Sequence, residues 1–160
     1  MLNLLQKKEK SVLGIPKADF FNLAVFNPQS MNEKFPSSEK LKSKILIDLL
    51  FSEGKSIKNF PLKLLYIPNN KISINTHKTG VTVPKRNFKK AVDRNYLKRL
   101  MREAFRKNKY LVDSNLQHKY AFMFIYTANK KIDYHQITAC MIHILNKLIE
   151  KEATHENLNN

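Results

Sequence analysis

The densest chemistry in the chain lies between Thr82 and Lys109, which read TVPKRNFKKAVDRNYLKRLMREAFRKNK. From Lys85 to Lys109 there are eleven Lys or Arg residues against two carboxylates, Asp93 and Glu103. Leu97, Leu100, Met101, Ala104 and Phe105 recur at steps of three and four, the spacing of one apolar helix face. At roughly 100° per residue, Arg94, Lys98, Arg102 and Arg106 gather on the polar side. Asn95 and Arg99 flank them, and Glu103 lies at the margin. A guanidinium presents a planar fork that meets phosphate oxygens in pairs. Solvated helix faces mix both signs of charge. Accumulating one sign costs self-repulsion, which a polyanionic partner relieves. The chemistry these residues offer is phosphate binding.

Side-chain catalysis is not expected. Asp19, Asp48, Asp93, Asp113 and Asp133 form no spaced pair, and the five histidines, His77, His118, His135, His143 and His155, lack ligand spacing. Gly14, Gly54 and Gly80 are the only glycines, so there is no glycine-rich phosphate loop. No catalytic residue and no metal ligand is assigned to the polypeptide.

Over the whole chain, 29 Lys or Arg against 13 Asp or Glu give a formal charge of +16 in 160 residues. With 42% hydrophobic residues this is a folding domain rather than a disordered polycation. Such a basic fold points to nucleic acid, with an anionic membrane surface a distant second. The single Cys140 fits a reducing cytoplasm and reads as a small core residue. No run of eighteen apolar residues marks a membrane span, and MLNLLQKKEKSV lacks the order of a secretory signal. The expected location is cytoplasmic.

The elements that must position the basic helix follow from pattern. Residues 1–36 form an N-terminal extension, read either as a disordered tail or as a start placed too early, with Met31 as the alternative start. The domain proper spans residues 37–152. Its first helix is expected from an N-cap at Ser38, with Glu39 in the first turn, to a stop at Gly54. Leu41, Ile45, Leu46, Leu49 and Leu50 are its expected buried face. Ile47 and Phe51 share the opposite face with Lys40 and Lys44. Flat side chains among ammonium groups suit a single-stranded nucleic acid, whose backbone meets the cations and whose bases meet the rings. The other reading of Phe51 is a lid on the core.

Strands are expected at Ser56 to Lys58, Pro61 to Ile67, Thr79 to Val83 and Ala121 to Ala128, the last the most hydrophobic run. Because a helix separates the final two, they can pair in parallel. Tyr110 to Lys119 is a connection whose Leu111 and Leu116 cover the core. Tyr134 to Lys151 is a last helix with Ile137, Met141, Ile144, Leu145 and Leu148 inward, and residues 153–160 are a frayed tail. The fold class is α+β, a two-layer sandwich in the order helix, strands, basic helix, strand, helix.

The run GVTVPKR at Gly80 to Arg86, followed by NFKKAVDRNYLKRLMREAFR at Asn87 to Arg106, resembles the signature of the bacterial ribonuclease P protein subunit. That family carries a strand ending in a basic pair, a short loop, then a helix opening Arg-Asn-Arg and continuing Lys-Arg and Arg-Glu-Ala. Tyr96 stands here in place of the third residue of that triplet. The resemblance extends from about Phe35 to Lys151 and implies a left-handed βαβ crossover, where patterning alone would give the right-handed form. It implies RNA binding by Lys85, Arg86, Lys89, Lys90, Arg94, Asn95, Tyr96, Lys98, Arg99, Arg102 and Arg106. It also implies a cleft for the 5′ leader of precursor tRNA, walled by Lys40, Lys44, Ile47, Phe51 and Tyr66.

The implied partners are a catalytic RNA and precursor tRNA, with neither a membrane nor a protein partner required. The implied cofactor is Mg²⁺, bound mainly by the RNA subunit, which carries the catalysis. The rival class is a structural RNA-binding protein, such as a ribosomal protein or RNA chaperone, which shares the charge and size but needs no leader cleft.

Overall fold

The computed structural model describes residues 34–159. The expected extension therefore lies, up to residue 33, outside the described residues. A mixed four-stranded sheet is built from β1 (Lys55–Asn59), β2 (Leu62–Pro68), β3 (Lys78–Thr82) and β4 (Tyr120–Tyr126) in the order β1-β2-β4-β3. β1 with β2 and β2 with β4 are antiparallel, while β3 and β4 are parallel. Between that parallel pair run α2 (Ala91–Asn108) and a short α3 (Tyr110–Asn115), a helical turn where a plain connection was expected. The helices α1 (Lys44–Glu53) and α4 (Tyr134–Asn159) complete the α+β fold.

Alternation along the central strands gives the sheet two dry faces, because successive strand side chains point to opposite sides. Leu62, Leu64 and Tyr66 of β2 join Tyr120, Phe122, Phe124 and Tyr126 of β4 in the larger core. Leu97, Met101, Ala104 and Phe105 of α2 pack into that core, as do Ile137, Met141, Ile144, Leu145 and Leu148 of α4. Leu65, Ile67, Ala121 and Met123 form the opposite core with Leu50 of α1, and Leu46 and Leu49 pack against it. Phe35 already belongs to the folded unit, edge-on to Phe105 at 5.9 Å.

Three expectations are corrected. The first helix starts at Lys44 with Ser43 as its N-cap, not at Ser38. Residues Ser37–Glu39 form a single 3-10 turn, after which Lys40 bridges to Thr79 and the Leu41 N–H donates to the Thr79 carbonyl at 3.0 Å. Pairing with the open edge of β3 outcompetes helix propensity over these residues. Ile45 is 79% exposed rather than buried. With Leu50 at the centre of the contact, Ile45 falls about 140° around the helix. Finally, α4 runs to Asn159 instead of ending at Lys151. Glu152 anchors the added turns, accepting from the Tyr120 hydroxyl at 2.6 Å and facing Lys55 at 3.9 Å.

The stop at Gly54 stands as expected. Its N–H caps the Leu50 carbonyl, and a Cβ there would collide with that same carbonyl.

Candidate nucleic-acid interface

The basic stretch is held in three places before it reaches solvent. Asn87 Nδ2 donates to the carbonyls of Thr127 at 3.3 Å and Ala128 at 3.1 Å, tying the loop after β3 to the end of β4. Phe88 is buried against Tyr126, with ring centroids 5.8 Å apart. Arg94 Nη1 donates to the Phe88 carbonyl at 2.9 Å and the Lys89 carbonyl at 2.7 Å. Arg94 therefore departs from its expected place on the open face. It lies about 20° from Met101 around the helix, half-buried, with one side of its guanidinium spent on bracing the loop. Nothing in the local sequence marks Asn87 and Phe88 as anchors, because anchoring depends on partners about forty residues away.

Beyond the brace, Asn95, Arg99 and Arg102 are exposed on α2 and Lys98 is half-exposed. Lys85, Arg86, Lys89 and Lys90 are exposed on the loop. Neither these four loop cations nor Lys98, Arg99 and Arg102 form an ion pair among the described residues. Arg106 differs, since Glu103 accepts from its Nε at 2.8 Å and from its Nη2 at 2.6 Å. That pair holds the Glu103 carboxyl below its usual range, chiefly through the hydrogen bond from Arg106. Tyr96 is 49% exposed. Lys131 Nζ sits 5.7 Å from its ring centroid and 2.6 Å from Asp93 Oδ1. The apolar face of α2 thus docks on the sheet while its outer face carries unneutralised cations.

Next to this ridge lies a cleft of about 440 Å³. Ile47 and Phe51 of α1 wall one side, Lys40 to Lys42 close one end, and Arg102 and Phe105 enter from α2. Thr79 to Thr82 of the edge strand β3, with Met123 of β4, make its floor. Gly80 keeps that floor low, because a Cβ would come within 3.0 Å of the Met123 methyl and 3.3 Å of Leu41 Cδ2. Lys40, Lys42 and Arg102 line the cleft without a carboxylate among its lining residues, so the field inside is positive. Phe51 is 57% exposed, which favours its reading as an available ring over a lid on the core.

The extended strap of residues 40–42 is fixed by Lys78 Nζ, which donates to the Ser38 carbonyl, and by the buried Lys109. Lys109 Nζ meets both Glu39 carboxylate oxygens at 3.0 and 3.1 Å.

Of the five expected cleft residues, Lys40, Ile47 and Phe51 come together, the first on the strap rather than on a helix. Lys44 is exposed in the first turn of α1, outside the lining residues. Tyr66 is a correction. It is 1% exposed on the opposite face of the sheet, tilted against Tyr120 at 6.2 Å. Burial, with help from Glu152, pushes its hydroxyl up to about 12. In β2 it is Leu65, one residue earlier, that shares the face of α1. Phe35 and Arg102 had not been placed in the cleft, and only the fold brings them there.

A sequence model of the ribonuclease P family matches residues 35–149. The chain is 38% identical over 82 residues to the ribonuclease P protein component of Porphyromonas gingivalis, a match covering 51% of this chain and 60% of that protein. It is 30% identical over 113 residues to the ribonuclease P protein component of Alkaliphilus metalliredigens, covering 70% of this chain and 95% of the relative. Among solved structures, the RNase P protein from Thermotoga maritima superposes with a TM-score of 0.56 at 25% identity, over 68% of this chain and 96% of that one. With a braced cationic helix, a positive cleft and a match that covers more than half its length, the chain belongs to the ribonuclease P protein family.

Proposed function

We propose that the chain is the protein subunit of a ribonuclease P ribonucleoprotein acting in tRNA processing in the cytoplasm. The outer face of α2 and the Lys85 to Lys90 loop bind the catalytic RNA, and the cleft takes the 5′ leader of precursor tRNA. The observation that carries this reading is the junction at Arg102, which belongs both to the cationic ridge and to the lining of the cleft. One rigid body can then hold the RNA subunit and the leader in fixed relation, the positional contribution a protein makes to a reaction whose chemistry lies elsewhere.

In this reading the RNA carries the hydrolysis. Several carboxylates near the interface are committed to cations: Glu39 to Lys109, Asp93 to Lys131 and Glu103 to Arg106. Among the described residues no three His, Cys, Asp or Glu side chains converge as a metal cage. Mg²⁺ is assigned to the RNA because the family resemblance implies it, and there it would supply an activated water and stabilise the leaving oxygen. The polypeptide's own part is electrostatic and positional. Lys98, Arg99 and Arg102 neutralise phosphates, while Ile47 and Phe51 offer surface to unstacked bases.

Reconstitution with a ribonuclease P RNA at low Mg²⁺ tests the proposal. Added protein is expected to restore endonucleolytic removal of the leader from precursor tRNA. No gain in cleavage under conditions where the protein binds the RNA would contradict it and favour a structural RNA-binding role.

A further inference from the structure

The floor of the cleft belongs to a sheet whose register can be followed past α1. Gly80 pairs with Met123, Met123 with Leu65 and Leu65 with Ser56, a row whose central residues Met123 and Leu65 share a core with Leu50 of α1. The next row runs Thr82, Ile125, Lys63, Lys58 across all four strands, on the same face. Thr82 lines the cleft, and Ile125 is half-buried at the margin of the α1 core. Lys63 is half-exposed and Lys58 exposed. At the usual spacing between strands the row is about 14 Å long.

Two features of the row ask for an explanation. Lys58 and Lys63 stand directly opposite one another in an antiparallel pair, a like-charge arrangement that destabilises a sheet. Neither ammonium group makes an ion pair or hydrogen bond among the described residues. A polyanion laid over them would remove the repulsion, and the row starts at the mouth of a groove with no carboxylate in its lining.

We infer that Lys63 and Lys58 form the far end of a single-strand binding track: a polynucleotide chain leaving the cleft at Thr82 passes over Ile125 and places successive phosphates on the two lysines. The inference rests on the cleft being a single-strand site and extends it to a defined second set of residues. It also gives the strand a direction of exit, away from α2 and toward β1.

Fluorescence anisotropy with oligouridylates tests it, using the full chain. One probe of about four nucleotides fills the cleft alone, and one of about twelve reaches beyond it, both within the range such grooves accommodate. The wild-type chain is expected to bind the longer probe more tightly. Lys58→Ala combined with Lys63→Ala is expected to keep the short-probe affinity, lose that gain, and lower the salt slope for the long probe by about 1.4, or about 0.7 per phosphate. Lys58→Arg with Lys63→Arg is expected to behave as wild type.

An alanine pair that binds the long probe like wild type, with an unchanged slope, overturns the track while leaving the cleft reading in place. Equal losses on both probes also overturn it, since that is a general charge effect. If the wild-type chain binds neither probe, both readings fall.

Discussion

Side chains that look alike in sequence do different jobs once their surroundings are known, and substitutions separate them. Lys98→Ala with Arg102→Ala should weaken binding to the RNA subunit and lower its salt slope by about 0.9 per lost phosphate contact on a duplex region. Thermal stability should hardly change, as neither side chain has a protein partner among the described residues. An unchanged slope in a filter-binding titration would place these cations off the RNA. Arg94→Ala should mainly cost stability, about 1 to 3 kcal/mol by denaturant unfolding, because two carbonyls lose a charged donor. Phe51→Ala should lose about 1 to 3 kcal/mol of leader binding if a base stacks there, with little change in melting, since the ring is largely exposed. A large drop in melting temperature would return Phe51 to the core. The sign and density of charge on α2 were plain in the sequence. Arg94 was misplaced because a row at i, i+4 drifts about 40° per step, turning its first member inward. Tyr66 was misplaced by one residue of strand parity, which periodicity cannot fix when both faces of β2 are apolar.

Among the elements, the strap before α1 depends most on tertiary contacts. Glu39 pins it to the end of α2 through Lys109, whose side chain is 7% exposed. Glu39→Ala leaves that ammonium buried without its carboxylate, at an expected cost of about 3 kcal/mol. The exposed pair of Lys71 and Glu53 should cost almost nothing to break. Hydrogen exchange at the Leu41 amide should rise in the Glu39 variant, and unaltered protection would contradict the anchoring role. The loop before β3 carries a second device. His77 is 6% exposed, its Nδ1 accepting from the Tyr120 N–H at 3.1 Å. Burial, aided by the Lys119 charge, lowers its pKa from 6.5 to about 4. Asp113 lies 3.8 Å from Nε2 but is half exposed and screened, so burial prevails. The unfolded chain takes up this proton near 6.5 and the folded chain only near 4. Stability should therefore be complete above the upper value and fall with acidification, by about 2 kcal/mol from roughly pH 7 to roughly pH 5. His77→Phe should flatten that dependence in chemical denaturation, and an equally steep curve would refute the assignment. The positions of the four strands and of the long helices were legible from hydrophobic period, and the parallel pairing of β3 with β4 from the helix between them. The start of α1 was not, because Ser38 and Ser43 are equally good caps and only the open edge of β3 decides between them.

For the whole molecule, the small sheet acts as a rigid spacer between two basic surfaces. Its dry faces bind α2 and α4 on one side and α1 on the other, and the edge strand β3 is left to form the floor of a groove. Composition points to a polyanion as the partner, and the motif had announced the family. That Arg102 would sit at the meeting point of ridge and cleft required the fold, since Phe35, Lys40, Gly80, Arg102 and Met123 lie far apart in the chain. The central claim is that this one surface distinguishes a tRNA that still carries its leader from one that has lost it. The direct measurement is the affinity of the reconstituted ribonucleoprotein for precursor and mature tRNA at matched salt. Tighter binding of the precursor is predicted, with the difference shrinking when Phe51 and Arg102 are replaced by alanine. Equal affinities for the two tRNAs, or a difference untouched by those replacements, would contradict the account.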